Sequence, residues 1–427
     1  MDIRAKTLKE VLAIDFNAVE VDKFWNTGEE KELKIHKIHA YPAKFPAFIT
    51  NKALAYAKRN VKQLDLIADI FCGCGTVAFE AKRNNINFWG CDINPVATMI
   101  ANVKSKNYNI KKLKSYYSEI INAYMDFENY YENYNKANDR LKYWYAEKEY
   151  INLARLKKAI EEVVPNRSTY RLFFLCAFSN ILKSTSRWLT KSIKPQIDPK
   201  KIPADVIKTF EAQCNNMISA YAESNVIGGS KTEIVTGNFL DDSIKRPKTD
   251  MIITSPPYVT SYEYADLHQL SSLWLGYTDD YRKLRSGSVG SLHHVYNFER
   301  ELKRLNKTGS QIVFRLLEKD KSQARSVAKY FLDMQNTVRE CEAMLNNNGL
   351  VLFVIGDTEY KGVRIENSRH ISEALIESGF DEVTITKRKI SGKILTPYRD
   401  EHGRFTNDET SRKIYNEEFI IIGRKLL

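Results

Sequence analysis

Apolar and polar positions along the chain fall into two alternating patterns. Short apolar runs at residues 64–71, 86–91, 233–236, 250–254, 350–355, 382–385 and 419–423 read as seven strands. Between them, residues 47–58, 77–83, 326–345 and 368–378 carry their apolar positions at helical spacing. Strands interleaved with helices predict an α/β fold, a doubly wound seven-stranded sheet. Residues 1–35 are mixed and charged, and predict a helix and a loop packed onto the main body. Residues 101–230 differ: Tyr116, Tyr117, Ile120, Ile121 and Tyr124, and later Leu153, Leu156 and Ile160, keep helical spacing with no convincing strand. The pattern divides the chain into 1–100, a first part of the α/β unit, 101–230, a mostly helical insertion, and 231–427, the second part.

Composition narrows the class. Of 427 residues, 43% are hydrophobic and 28% charged, enough for a sizeable core. The formal net charge is +12, and Lys and Arg recur along the whole length, as a broad phosphate-facing surface requires; nucleic acid is the leading partner class. Six cysteines lack paired C-x-x-C spacing, so reduced thiols and no metal site are expected. No signal-peptide pattern and no apolar run of about 20 residues is present, so a cytoplasmic protein with no membrane span is expected.

Three strand ends carry candidate chemistry. Phe71-Cys72-Gly73-Cys74-Gly75-Thr76 follows the first strand, where glycine lets a ligand or a helix approach the backbone closely. Asp92 ends the next strand, where a carboxylate can accept both hydroxyls of a ribose. Neither the full G-x-G-x-x-G pattern nor G-x-x-x-x-G-K-[ST] occurs, so the cofactor should carry adenosine without a pyrophosphate. The fourth strand stops at Thr254-Ser255-Pro256-Pro257-Tyr258. Its prolines fix φ and hold the Ser255 hydroxyl rigidly, while Tyr258 offers a flat face to a base.

These residues resemble the amino-group DNA methyltransferases, which methylate an exocyclic base nitrogen. The family's D-P-F-x-G-S-G-T is similar to Asp69-Ile70-Phe71-Cys72-Gly73-Cys74-Gly75-Thr76, with Ile70 for Pro and Cys74 for Ser. The family's [DNS]-P-P-[YFW] motif is met in its Ser form, the form commonest among N4-cytosine enzymes. His39-Ala40-Tyr41-Pro42-Ala43-Lys44-Phe45-Pro46 resembles the segment that closes over the methionine end of the cofactor, and residues 234–238 resemble the strand whose end contacts adenine, with Asn238 where Asp is frequent. Residues 262–266, 273–276 and 346–357 add to the likeness.

The resemblance implies a Rossmann-like methyltransferase sheet, S-adenosyl-L-methionine as cofactor and double-stranded DNA as partner, and it admits a cognate restriction endonuclease without fixing one. It implies cofactor contacts from Tyr41, Pro42, Lys44, Phe45, Asp69, Phe71, Cys72, Gly73, Gly75, Thr76, Asp92, Ile93, Asn238 and Phe239, and catalysis by Ser255, Pro256, Pro257 and Tyr258.

In that reading the Ser255 hydroxyl and the Pro256 carbonyl accept hydrogen bonds from the N4 amine of a flipped-out cytosine, and Tyr258 stacks on the base. No Pro-Cys dipeptide is present, against a C5-cytosine route. The insertion occupies the slot of a target-recognition region, and Lys183, Arg187, Lys191 and Lys194 near Trp188 form a basic, aromatic candidate for DNA contact. The long segment 259–323, with Tyr262, Arg282, Lys283, Arg285, His293 and His294, is a second candidate. Adenine-N6 methylation, an RNA base methyltransferase and a catalytically silent DNA-binding subunit are the alternatives to cytosine N4.

Overall fold

Eight strands, one more than the pattern predicts, build the central sheet of the computed structural model. It describes the chain except residues 1, 29–30, 128–129, 131, 225–228, 260–262, 290–295, 391–397, 400–404, 409–411, 414–415 and 427. In chain order the strands are β1 (Ile3–Ala5), β2 (Leu66–Asp69), β3 (Asn87–Asp92), β4 (Thr232–Thr236), β5 (Thr249–Thr254), β6 (Leu345–Ile355), β7 (Glu382–Lys389) and β8 (Glu417–Arg424). They lie side by side as β1-β7-β8-β6-β5-β2-β3-β4. From β6 to β4 neighbours are parallel, whereas β8 runs antiparallel to both β6 and β7.

The unpredicted strand is β1, which pairs antiparallel with β7 at the sheet edge, Ile3 opposite Ile385 and Ala5 opposite Val383. Three residues with one fully buried side chain show no alternation to read, so the expectation of only a helix and a loop before residue 35 is corrected here.

Alternation along the central strands explains why helices cover both faces. Met251 and Ile253 enter one apolar cluster while Ile252 enters the other, and Leu350, Leu352 and Val354 alternate with Val351, Phe353 and Ile355 in the same way. Helices Lys321–Met344 and Asn367–Glu377 cover one face, and Ala47–Asn60 and Thr76–Arg83 the other. A third cluster joins the helices between Ile110 and Ser224 to Phe79 and to Val96, Met99 and Ile100 of helix Pro95–Ser105. The insertion therefore shares its core with the helices flanking the glycine turn. Segment 259–323, expected as a long loop, instead forms short helices at Tyr264–Leu267, Gln269–Trp274, Phe298–Leu302 and Lys307–Leu317.

β2 and β5 are central neighbours, yet the chain between them runs outward through β3 and β4. Strand order reverses at this junction, and in open α/β sheets a crevice opens there beyond the carboxyl ends of the strands. The glycine turn follows β2 and the double proline follows β5, so both motifs border that crevice.

Candidate active site

One hydrogen bond locks the two motif strands together: the Thr254 hydroxyl donates to Asp69 Oδ1 at 2.7 Å. The same carboxylate accepts from the Phe71 backbone at 3.2 Å, and its burial pushes its pKa up to about 7. Beyond this link the chain turns sharply, with Gly73 at φ 47° and Gly75 at φ 75°. These left-handed values suit glycine, but the two residues do different work. A Cβ on Gly75 would lie 2.6 Å from Cβ of Ala101, so this glycine lets helix Pro95–Ser105 pack against the turn. A Cβ on Gly73 would meet only the Tyr41 ring, at 3.6 Å, on the open side of the turn.

Asp92 closes the other side. Its Oδ2 accepts from the Gly73 backbone at 2.8 Å and its Oδ1 from that of Asn94 at 2.8 Å. Burial pushes its pKa up to about 6, against the lowering effect of those two N–H groups. Such a carboxylate, with lone pairs left over, is suited to accepting ribose hydroxyls. Thr76 and Asn94 also line this cleft, and their buried Oγ1 and Nδ2 have no hydrogen-bond partner among the described residues. Orphaned polar atoms beside an acceptor carboxylate, on a turn left open by glycine, fit a ligand with hydroxyl and amine groups.

The cleft brings together most of the residues singled out in the sequence. From the cofactor set, Tyr41, Lys44, Phe45, Asp69, Phe71, Cys72, Gly73, Thr76, Asp92, Ile93, Asn238 and Phe239 line it, and from the strand-end loop, Ser255 and Pro257. Pro42 instead borders a neighbouring cavity with His39 and His268. Gly75 belongs to the helix contact just described, and Pro256 is buried. The Ser255 hydroxyl donates to the Val354 carbonyl at 2.9 Å, which commits its proton and leaves its oxygen as an acceptor. The half-buried Tyr258 lies outside the cleft lining, its ring against Gly356 and its hydroxyl donating to Glu418 Oε1 at 2.9 Å.

Several lining residues were not among the predicted contacts: Cys74, Asn94, Glu263, Tyr264, Leu284, Gly287 and Ser288. Gly287, at φ 80°, sits 3.4 Å (from its virtual Cβ) above Ile93 and 3.7 Å from the Asn238 amide. A glycine in a polar stretch gives no sign of which distant turn it will cover. Tyr264 belonged to a segment already noted for its likeness; its ring and that of His268 both stack on Tyr41, at 6.4 and 5.0 Å.

The basic candidates are placed less simply. Trp188 is 2% exposed and stacks on Trp144 at 4.8 Å, so it offers no free face to a base, and its expected stacking role is corrected. Lys183 donates to the Ser192 carbonyl and Arg187 to the carbonyls of Lys142 and Tyr143. Lys191 and Lys194 are exposed in the hairpin closed by the Trp188–Ile197 bridge. Arg282 chelates Asp280, and Arg285 holds Asp266 through both carboxylate oxygens. Tyr262, His293 and His294 lie outside the described residues.

Comparison with known proteins agrees with this geometry. A family model described as DNA methylase matches residues 6–103, which hold the glycine turn and Asp92. Type II methyltransferase M.MvaI of Kocuria varians is 25% identical over 399 residues, covering 87% of each chain. Over most of its length the chain is similar to amino-group DNA methyltransferases. Type II methyltransferase M.AvaI of Anabaena variabilis is 23% identical over 75% of this chain and 74% of that protein. M.MjaII of Methanocaldococcus jannaschii is 34% identical over 99 residues, 23% of this chain and 18% of its own. The methyl donor of this family is S-adenosylmethionine. Among the described residues no helix is long and apolar enough to cross a membrane.

Proposed function

We propose that this DNA methyltransferase methylates the exocyclic N4 of a cytosine turned out of the duplex, and that Ser255 and the loop after β5 activate the amine. One observation carries the reading: the Ser255 oxygen is held as an acceptor, by its own donation to Val354, in the same cleft as Asp92 and the Gly73 turn.

The amine of cytosine is a poor nucleophile because its lone pair is delocalised into the ring. Two acceptors drawing on its two protons favour a pyramidal nitrogen with a localised pair. The Ser255 oxygen supplies one acceptor and the Pro256 carbonyl the other, and both are pre-set by backbone that prolines have stiffened. S-adenosylmethionine, when bound, supplies a methyl group activated by a sulfonium. Asp92 accepts its ribose hydroxyls, and Gly73 permits close approach. Phe71, Tyr41, Lys44 and Phe45 wall the methionine end; Ile93, Asn238 and Phe239 wall the adenine end. The Ser255 proton stays on its own oxygen, donated to the Val354 carbonyl, so the hydroxyl acts as an acceptor and forms no covalent adduct. Because N4 is engaged in base pairing, the cytosine must leave the stack, which costs a few kcal/mol. Phosphate contacts offset part of that cost. On this reading they come from Lys191 and Lys194 on the hairpin, and from Arg282 and Arg285 once phosphate replaces Asp280 and Asp266.

The test is to incubate purified protein with tritiated S-adenosylmethionine and unmethylated genomic DNA, then identify the labelled nucleoside by mass spectrometry. N4-methylcytosine supports the proposal. N6-methyladenine would move the same loop chemistry to adenine, and label confined to RNA would overturn it.

A further inference from the structure

Tyr258 is the member of the strand-end loop whose hydroxyl reaches an ionic anchor. Its hydroxyl donates to Glu418 Oε1 at 2.9 Å, and Glu418 Oε2 in turn receives the Arg388 guanidinium. Glu418 and Arg388 face each other in register across β8 and β7. Their side chains are 16% and 4% exposed, and Arg388 also lies over the Phe48 ring, 5.6 Å from its centre. On its other side the Tyr258 ring is confined by Gly356, where an added Cβ would come within 3.3 Å of Cε2. Neither Glu418 nor Arg388 lines the cleft.

A nearly dry ion pair is an expensive feature. Its desolvation cost is recovered only with good geometry, and apolar replacements are often at least as stable. Here the pair sits at the same sheet edge as the cleft, because Phe419 pairs with Ile355 and so sets Glu418 beside Gly356, just past the end of β6. The loop it reaches is stiff at Pro256 and Pro257, but the aromatic ring keeps a torsion that the prolines do not restrain. A hydroxyl tied to a fixed carboxylate removes that freedom.

We infer that Glu418 and Arg388 are positioning residues for the catalytic loop: Arg388 fixes Glu418, Glu418 fixes the Tyr258 hydroxyl, and the ring is thereby pre-set for an extruded base. This rests on the proposed reading of the loop as the base-holding element. Neither residue touches cofactor or base; both act through Tyr258.

The experiment is a mutant cycle on the full chain, with methyl transfer to unmethylated genomic DNA resolved into kcat and KM, and cofactor affinity measured by calorimetry. Tyr258→Phe, Glu418→Ala and Arg388→Met should each lower kcat about tenfold, the value of one well-aligned hydrogen bond to a charged group, with cofactor affinity within about twofold of the parent. Glu418→Ala placed on Tyr258→Phe should add less than about twofold, because the hydroxyl it serves is gone. Glu418→Gln, which keeps an acceptor for Tyr258 and the side-chain volume, should recover much of kcat, and it stands in for the alanine variant should that fail to fold. A full multiplicative loss in the double variant, or losses that appear in cofactor affinity instead of kcat, would overturn the inference. Tyr258→Ala separates the two levels: if it keeps full turnover the reading of the loop itself fails, whereas a large loss beside an additive cycle removes only the positioning pair.

Discussion

Replacing Gly75 by Ala should unfold the protein more easily, whereas replacing Gly73 by Ala should leave it folded and cripple its cleft. The two glycines stand two residues apart in one motif, and both have left-handed φ, 75° and 47°. A non-glycine residue in that region costs about 1–2 kcal/mol. At Gly75 a second cost is added. The new Cβ would fall 2.6 Å from Cβ and 2.7 Å from Cα of Ala101, inside a helix that also packs on the insertion, so backbone must move. Overpacking of this kind costs about 1–3 kcal/mol, giving a total of about 2–5 kcal/mol. At Gly73 the nearest neighbour of a new Cβ is a tyrosine ring at 3.6 Å, an ordinary contact, so only the φ cost of about 1–2 kcal/mol remains. That methyl group, however, would stand in the cleft between Tyr41 and Asp92. Urea unfolding of the free proteins, followed by calorimetric titration with S-adenosylmethionine, reads both effects. Gly75→Ala should shift the unfolding midpoint by more than twice as much as Gly73→Ala, and Gly73→Ala should lose at least tenfold in cofactor affinity. If Gly75→Ala unfolded at the parent midpoint, the packing role given to that glycine would be wrong.

Burial pushes Asp92 up to about 6, so cofactor affinity should fall roughly tenfold between pH 7 and pH 5; Asp92→Asn should bind weakly and lose most of that fall, keeping only what Asp69, pushed up to about 7 in the same cleft, contributes, and calorimetry over that range checks it. The sign for folding is opposite: a carboxylate whose native pKa lies above its unfolded value near 4 weakens the free protein as pH rises from about 4 to about 6, and urea midpoints of parent and Asp92→Asn proteins compare this directly. Ser255→Ala should lose at least a hundredfold in kcat while cofactor affinity stays within about twofold, since an acceptor used only as the amine pyramidalises is lost; full activity would refute the role given to the loop. Trp188→Ala should cost about 3–5 kcal/mol of stability with an unchanged salt dependence of DNA binding, whereas Lys191→Ala and Lys194→Ala should each lower the slope of log K against log salt by about 1.

What could be read in the sequence divides along a physical line. The turn after β2, the carboxylate ending β3 and the prolines after β5 impose special backbone or chemistry on their own few residues, and each was legible where it stood. The common opening of these corners into one cleft also followed, because parallel strands in a doubly wound sheet end on the same edge. Roles set by distant partners left no local mark. Trp188 beside four basic residues reads as a nucleic-acid platform until Trp144 covers it, and Arg285 reads as a free cation until Asp266 takes it up. β1 is legible only once β7 is there to pair with it. Tyr258 shows both sides of the line: its place in the motif is local, but its orientation depends on a carboxylate 160 residues away. A rigid loop can be written in adjacent letters, because φ is a property of each residue. The direction of a side chain that leaves the loop depends on where strands from elsewhere in the chain come to rest, so the machinery that holds a catalytic motif in place is harder to read than the motif itself.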